Sequence, residues 1–453
     1  MSAIDTPPRR GRGGAVSAKV RSWTPAMTSA AASVIVTVAS MLIARGDGFG
    51  AFGMFVALQA IGVILGIPMQ WGVHVNASRA MVARADVGAV VGTALVVVAT
   101  ASVLTSAGYF GLLALARDVV PIADPARLWP AAALGASAAV MSLAESLLRI
   151  RGRQLLASGL RLGCSGGYLL ALIAVLAGGH GDAVLYATLV AGSNAGCAAL
   201  MLIGLCRAPK GPVADGSDRR GRALAWDAGL ARTLLREGRT YSAGQSLLTL
   251  LFGFDVILLM GASGPAAVAI YALYIGSCRR VIGVLFTDSL ASLLIASLAR
   301  KRSSTGGRVA LRYGPRLLGL AVAGASVLVV VSLAAADALD HLVAGWVVLA
   351  AIGCSAHALV IVLFCIFTVQ PELGLARVRA GLTAAFLPGL ALQGAGAAVG
   401  GWPGMIAAFA VLNAALTWWF LAVIRRSTAG ADDHSDDHSD ETAHRATPPA
   451  RIC

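Results

Sequence analysis

Residues 254–283 read FDVILLMGASGPAAVAIYALYIGSCRRVIG, two apolar runs joined by a short turn at Gly264–Pro265. Such a hairpin suits lipid, because about 20 apolar residues of helix cross a bilayer's hydrocarbon core and leave no backbone group unpaired. Three charges interrupt the pattern. Asp255 stands about nine residues before the turn, while Arg279 and Arg280 stand about 14 residues beyond it, or about 20 Å along a helix. At that depth an arginine cannot easily snorkel to the surface.

Outward from this hairpin the same kind of run recurs, bounded by charges, Gly or Pro. The runs lie near 25–44, 51–73, 88–115, 129–148, 158–177, 183–206, 241–262, 266–298, 314–336, 342–369, 378–399 and 402–424, which makes twelve spans. Composition agrees, since the 453 residues are 57% hydrophobic and only 13% charged, with a mean hydropathy of +0.78. An ordinary soluble domain is excluded.

Charge placement tests the count independently, because short cytoplasmic loops collect Lys and Arg. With the N-terminus inside, 30 of the 36 basic residues fall on the inner side, and only Arg45, Arg117 and Arg127 fall outside. A net charge of +14 then follows from topology and calls for no nucleic acid. A basic inner face also suits anionic membrane lipids. The basic arm leads into a full-length first span, so no cleaved signal peptide is expected.

The expected fold class is an all-α polytopic membrane protein of about 12 transmembrane helices in two six-helix lobes. A basic cytoplasmic arm occupies 1–24, the first lobe 25–206, a cytoplasmic linker 207–239, the second lobe 240–426 and a cytoplasmic tail 427–453. The tail carries Asp, His434, His438 and His444 without apolar period and is expected to be disordered, with no folded metal site. Six of the seven cysteines lie in or beside spans and read as small buried hydrophobes.

The two lobes look related. FGAFGMFVAL (49–58) follows the first span as PAAVAIYALY (265–274) follows the seventh, which sets Phe55 opposite Tyr271. AGGHGDAVLYA (177–187) and VGGWPGMIAAFA (399–410) are both Gly-rich turns that open the last span of a lobe. Transporters are commonly built from such repeats.

These stretches, with MLIARGDGFGAFGMFVAL and IPMQWGVHVNASRAMVAR in the first lobe, resemble the polysaccharide-flippase (Wzx-type) branch of the multidrug/oligosaccharidyl-lipid/polysaccharide (MOP, MATE-like) exporter superfamily. An Asp in the seventh span, a Gly-rich turn, a Tyr early in the eighth and the last hairpin carry the likeness. The resemblance implies a multi-pass protein of the bacterial cytoplasmic (inner) membrane with both termini inside. It implies two lobes around a cavity that opens alternately to either side and moves a lipid-linked (polyprenyl-diphosphate) oligosaccharide outward. A polysaccharide polymerase and glycosyltransferases are the partners it implies. Related lipid II flippases usually carry two further C-terminal helices, which this chain lacks.

Charges inside spans are functional candidates because each costs about 2.5–3.5 kcal/mol at mid-membrane. A guanidinium fork matches phosphate oxygens, so Arg279 and Arg280 are expected to hold the diphosphate, with a structural ion pair as the other reading. Asp255 is expected to sense a coupling ion, H⁺ or Na⁺, because burial and a neighbouring arginine act on its proton in opposite directions. With straight helices it lies some 9 Å nearer the outside than Arg279, so a salt bridge needs reach or tilt. Tyr271 and Gln59 are further substrate-binding candidates, since amides and hydroxyls suit sugars. Asp288 stands nearer the inner end of its span, and Glu145 is placed to pair with Arg149 one turn on. Ser29, Ser33, Thr37 and Ser40 form a hydroxyl stripe that serves helix packing or a sugar-contacting wall. Gly62/Gly66, Gly159/Gly163 and Gly396/Gly400 are small-residue pairs that permit close helix contact.

No P-loop, HExxH, paired CxxC or Gly-x-Ser-x-Gly elbow occurs, and no cofactor is implied. A transporter is therefore expected and not an enzyme. Two rivals remain: a polysaccharide polymerase or other multi-span enzyme of envelope glycan synthesis, and drug efflux within the same superfamily.

Overall fold

The computed structural model describes residues 12–83, 87–116, 125–179, 181–206, 224–284, 304–370 and 373–443, and every regular element among them is helical. Arg117, Asp118, Asp124, Asp288, residues 207–223 of the linker, His444 and the first eleven residues lie outside the described residues. The helices are α1 Arg12–Gln70, α2 Val73–Ala83, α3 Val87–Ala116, α4 Pro125–Ile150, α5 Gln154–Ala177, α6 Ala183–Cys206, α7 Ala228–Tyr271, α8 Ser277–Val284, α9 Ser304–Ala335, α10 Ala344–Val369 and α11 Leu375–Ala443. A π-helical turn, Ala272–Gly276, joins α7 to α8.

Nine helices among the described residues are long and apolar enough to cross a membrane. Three of them are two helices run together at one glycine: Gly48 in α1, Gly264 in α7 and Gly401 in α11. Read as separate segments they bring the count to twelve, the number the hydropathy runs give. Gly48 (φ 81°, ψ 173°) and Gly264 (φ 77°, ψ −179°) share one conformation, in a region open essentially to glycine alone. Pro265 then restarts its helix at a position that needs no N–H.

That the chain reverses at Gly48 is read from its neighbours. Ser29 donates to Ser158 at the start of α5, and Gly46 lies against Leu176 at its end, so the chain first runs along α5. Past Gly48 it turns back, with Phe55 edge-on to Tyr186 near the start of α6, and Gly62 against Ala131 and Leu134 of α4.

The chain divides into two compact units, Met1–Gly253 and Phe254–Cys453. In the first, Met69, Val73, Val90, Leu143, Leu147 and Met201 share a buried core with Leu230 and Leu234 of α7. Helix α7 thus begins inside the stretch read from sequence as a hydrophilic linker. Asp227 is the cause: its carboxylate accepts the Leu230 N–H at 2.9 Å, a cap that lets Leu230 and Leu234 reach the core. Asp227→Ala is expected to cost about 1 kcal/mol, read as a lower melting temperature of the purified protein.

The small-residue pairs separate by environment. A Cβ on Gly62 would lie 2.8 Å from Leu134 Cβ, and one on Gly135 would lie 2.9 Å from Gly62 O, so α1 and α4 touch backbone to backbone. Gly159 and Gly163 face open space. The hydroxyl stripe Ser29, Ser33, Thr37 and Ser40 is wholly buried, which fits the packing role. Glu145 pairs with Arg149 at 2.6 Å, as its spacing predicts, and also meets Arg161 at 3.6 Å. The six cysteines among the described residues are unbridged. Helix α11 carries on through the Asp/His-rich segment to Ala443, where the sequence leads one to expect a tail without structure. A helix once nucleated extends at low cost, and the span before Arg426 supplies the nucleus.

Candidate functional site

Among the described residues of the second unit one carboxylate is buried. Asp255 is 0% exposed, on the arm of α7 that precedes Gly264. Its Oδ1 accepts the Val256 N–H at 2.8 Å, and its Oδ2 accepts both the Tyr271 hydroxyl at 2.7 Å and Arg279 Nη1 at 2.9 Å. Three residues that the sequence assigns to separate tasks therefore meet at one oxygen.

The π-helical turn explains how. Tyr271 and Arg279 are eight residues apart, which in an α-helix sets them about 80° apart around the axis. One residue inserted in a π turn takes about 100° out of that angle and returns both side chains to nearly the same face. The axial gap expected for straight helices is then spanned by the length of the arginine side chain. The inserted turn leaves backbone carbonyls short of partners, and Ile275 O accepts the Cys354 thiol from α10 at 3.7 Å. Cys278 similarly donates to Ala325 O on α9 at 3.4 Å. Tyr274 holds the segment's other side, donating to His341 O just before α10 at 2.7 Å and stacking on Trp402.

The guanidinium is held on its other face by α11. Arg279 Cζ lies 5.6 Å from the centroid of the Phe409 ring, a cation–π contact. Behind Phe409 stands His357 of α10, whose ring is 5.7 Å away and whose Nδ1 is 3.1 Å from Asn413 Oδ1. Asn413 spends its amide N–H on Phe409 O at 2.8 Å, so its oxygen faces the imidazole and Nδ1 carries the hydrogen. Phe409, His357 and Asn413 are not among the sequence candidates. They lie far from Asp255 in the chain, and only packing brings them near.

Arg279 is the arginine that pairs with Asp255, and its side chain remains 26% exposed. Arg280 is partly buried beside it. Gln59 lies partly buried on the returning arm of α1, in the first unit. No cluster of three or more metal-ligating side chains occurs among the described residues.

The repeat makes the site's asymmetry visible. The register that superposes Gly48 on Gly264 sets Phe55 at Tyr271 and Ala39 at Asp255, and Arg279 falls at the Gly62–Val63 step. The first unit builds the same hairpin with no charge there, and Phe55 packs on the Tyr186 ring instead. The fold does not require the ion pair.

No family model matches the sequence, and neither does any curated protein. Solved structures do match the fold. The inward-facing conformation of a multidrug resistance MATE family transporter of the MOP superfamily superposes with a TM-score of 0.55 at 15% identity, covering 88% of this chain and 95% of that one. Its outward-facing conformation gives 0.54 at 15%, covering 91% and 96%. The MATE multidrug transporter DinF-BH gives 0.54 at 16%, covering 93% and 98%. With its apolar helices joined at left-handed glycines and every regular element among the described residues helical, the chain is a polytopic membrane protein of MATE-like fold.

Proposed function

We propose that this protein is a transporter that flips a lipid-linked (polyprenyl-diphosphate) oligosaccharide across the cytoplasmic membrane by ion-coupled alternating access. The observation that carries this reading is Arg279, a partly exposed cation deep in a span, held by Asp255 on one side and Phe409 on the other. A charge so placed faces a polar space and not hydrocarbon, because exposure to lipid tails is too costly. Its fork fits a diphosphate, and its positive sign repels cationic cargo. Arg280 and Gln59 are the further cargo contacts in this reading, and Asp255 carries the coupling ion. The fold supports a membrane transporter, and a glycan polymerase and glycosyltransferases are the partners expected in this reading.

Loss of the gene is expected to leave lipid-linked oligosaccharide in the inner leaflet, read by its resistance to a glycan-cleaving probe added outside spheroplasts. Polymerised surface glycan made at normal levels without the protein would sink the reading. Drug efflux is the second reading, favoured by the fold shared with multidrug MATE transporters. It predicts raised sensitivity to organic cations in the same deletion strain, with glycan export intact.

A further inference from the structure

Asp255 is the carboxylate that the transport reading assigns to the coupling ion, and a tethered cation, Arg279, already pairs with it. Both of its oxygens are covered by donors: the Val256 N–H on Oδ1, and the Tyr271 hydroxyl with Arg279 Nη1 on Oδ2. Among the described residues the titratable and charged groups near this carboxylate are few. Tyr271 and Arg279 come from its own hairpin, Cys278 from α8, Cys354 from α10, and His357 of α10 stands beyond the guanidinium. Helix α11 presents Phe409 and Asn413. No second carboxylate is present among these groups to hold Arg279 if it leaves Asp255.

Of the two partners only Arg279 is reachable, being 26% exposed against 0% for Asp255. An anion that arrives beside Phe409 therefore meets the guanidinium first, and competes for it with the carboxylate. If the anion wins, Asp255 is left fully buried with a charge and no counter-charge, a state costly enough that the group takes up a proton.

We propose that Arg279 is the resident counter-cation of Asp255 and is exchanged: a diphosphate takes the guanidinium, and a proton from the aqueous side takes its place on Oδ2. This inference rests on the anionic-cargo reading of the same site and deepens it, because it links the binding of cargo at Arg279 to one protonation at Asp255. Cargo and proton bind together, up to one proton for each diphosphate. The proton therefore travels with the cargo, and the outward step draws on supply of cargo inside and its removal outside, not on an inward proton gradient. The described residues around Asp255 offer sodium no seat. It needs several oxygen ligands, whereas Asp255 is ringed by hydrogen-bond donors. The hydroxyl of Tyr271 stays on Oδ2 through the exchange and holds the carboxyl in position.

The full-length protein in nanodiscs, titrated with farnesyl diphosphate, tests this. Calorimetry in two buffers of different ionisation enthalpy reads the protons taken up. Wild type is expected to bind the diphosphate with net proton uptake, unchanged when NaCl replaces KCl. Asp255→Asn keeps one acceptor oxygen, for the Val256 N–H, and turns its amide N–H to the Tyr271 oxygen, but frees Arg279, so it should bind the diphosphate tenfold or more tighter with no proton uptake. Arg279→Lys, which keeps the charge, should bind at least tenfold weaker. Diphosphate binding without proton uptake, or weakened by Asp255→Asn, overturns the exchange while anionic cargo stands. No diphosphate binding by wild type, together with binding of an organic cation such as tetraphenylphosphonium, overturns both.

Discussion

Asp255→Ala, with Arg279 left in place, is expected to destabilise the protein by about 3–5 kcal/mol and to abolish transport. The size follows from what the substitution strands. Arg279 loses its carboxylate at 2.9 Å, and Tyr271 loses the acceptor of its buried hydroxyl. Removing one partner of a buried pair costs far more than the pair contributes net, because the remaining charge stays desolvated. The Phe409 face offsets only part of this, about 1–2 kcal/mol for a cation on a ring.

A double-mutant cycle separates structural from functional roles at this site. Asp255→Ala with Arg279→Ala together removes both charges and is expected to cost clearly less than the sum of the two single substitutions, with a coupling of about 2–3 kcal/mol between the two sites. Transport is not expected to recover. Thermal unfolding of purified variants reads the first quantity, and a surface-glycan assay at matched protein levels reads the second. A double variant that is both stable and active would reduce the pair to a structural brace. Its absence from the first unit, where Ala39 and Phe55 stand at the corresponding positions, already argues that the hairpin folds without it.

Much of the scaffold is legible in the sequence because membranes impose few choices. Span length and the Gly-rich turns between paired spans each follow from a single constraint, and the register that pairs the two hairpins in sequence also pairs Gly48 with Gly264, which share their backbone angles. The site is legible only in pieces. Asp255, Tyr271 and Arg279 stand out as polar residues in apolar runs, yet their separation along straight helices argues against contact. The missing part is the π turn Ala272–Gly276, whose residues ALYIG carry no signature that distinguishes them from the α-helix around them. Phe409, His357 and Asn413 are hidden for another reason: aromatic and amide residues in late spans are common, and nothing local ties them to residue 279. Gly62/Gly66 and Gly159/Gly163 have the same spacing, but only the first pair meets a partner glycine, Gly135, so the spacing alone decides nothing. The start of α7 escapes a hydropathy reading because polar residues dominate its neighbourhood, although Asp227 followed by Leu230 and Leu234 is a cap and an apolar face.

The turn on which the site hangs supplies the second large effect. Gly264→Ala is expected to destabilise by about 1–3 kcal/mol although no atom stands in the way of the new methyl group. With φ 77° and ψ −179° the residue occupies a conformation that a Cβ excludes by its own backbone, so the penalty is local and steric and not a matter of packing. Gly48→Ala should cost the same, since φ 81° and ψ 173° describe the same turn in the first unit. Gly261→Ala is the control: it sits on the same helix, also with nothing near its Cβ but without a positive φ, and replacing glycine there should stabilise by up to about 1 kcal/mol. Opposite signs three residues apart would locate the strain in the turn. Equal effects at 261 and 264 would refute the two-helix reading of α7. The functional consequence differs between the two hairpins. Relaxing the backbone at Gly264 shifts the arm bearing Asp255 against the arm bearing Tyr271 and Arg279, so Gly264→Ala should lose more transport than Gly48→Ala at equal loss of stability.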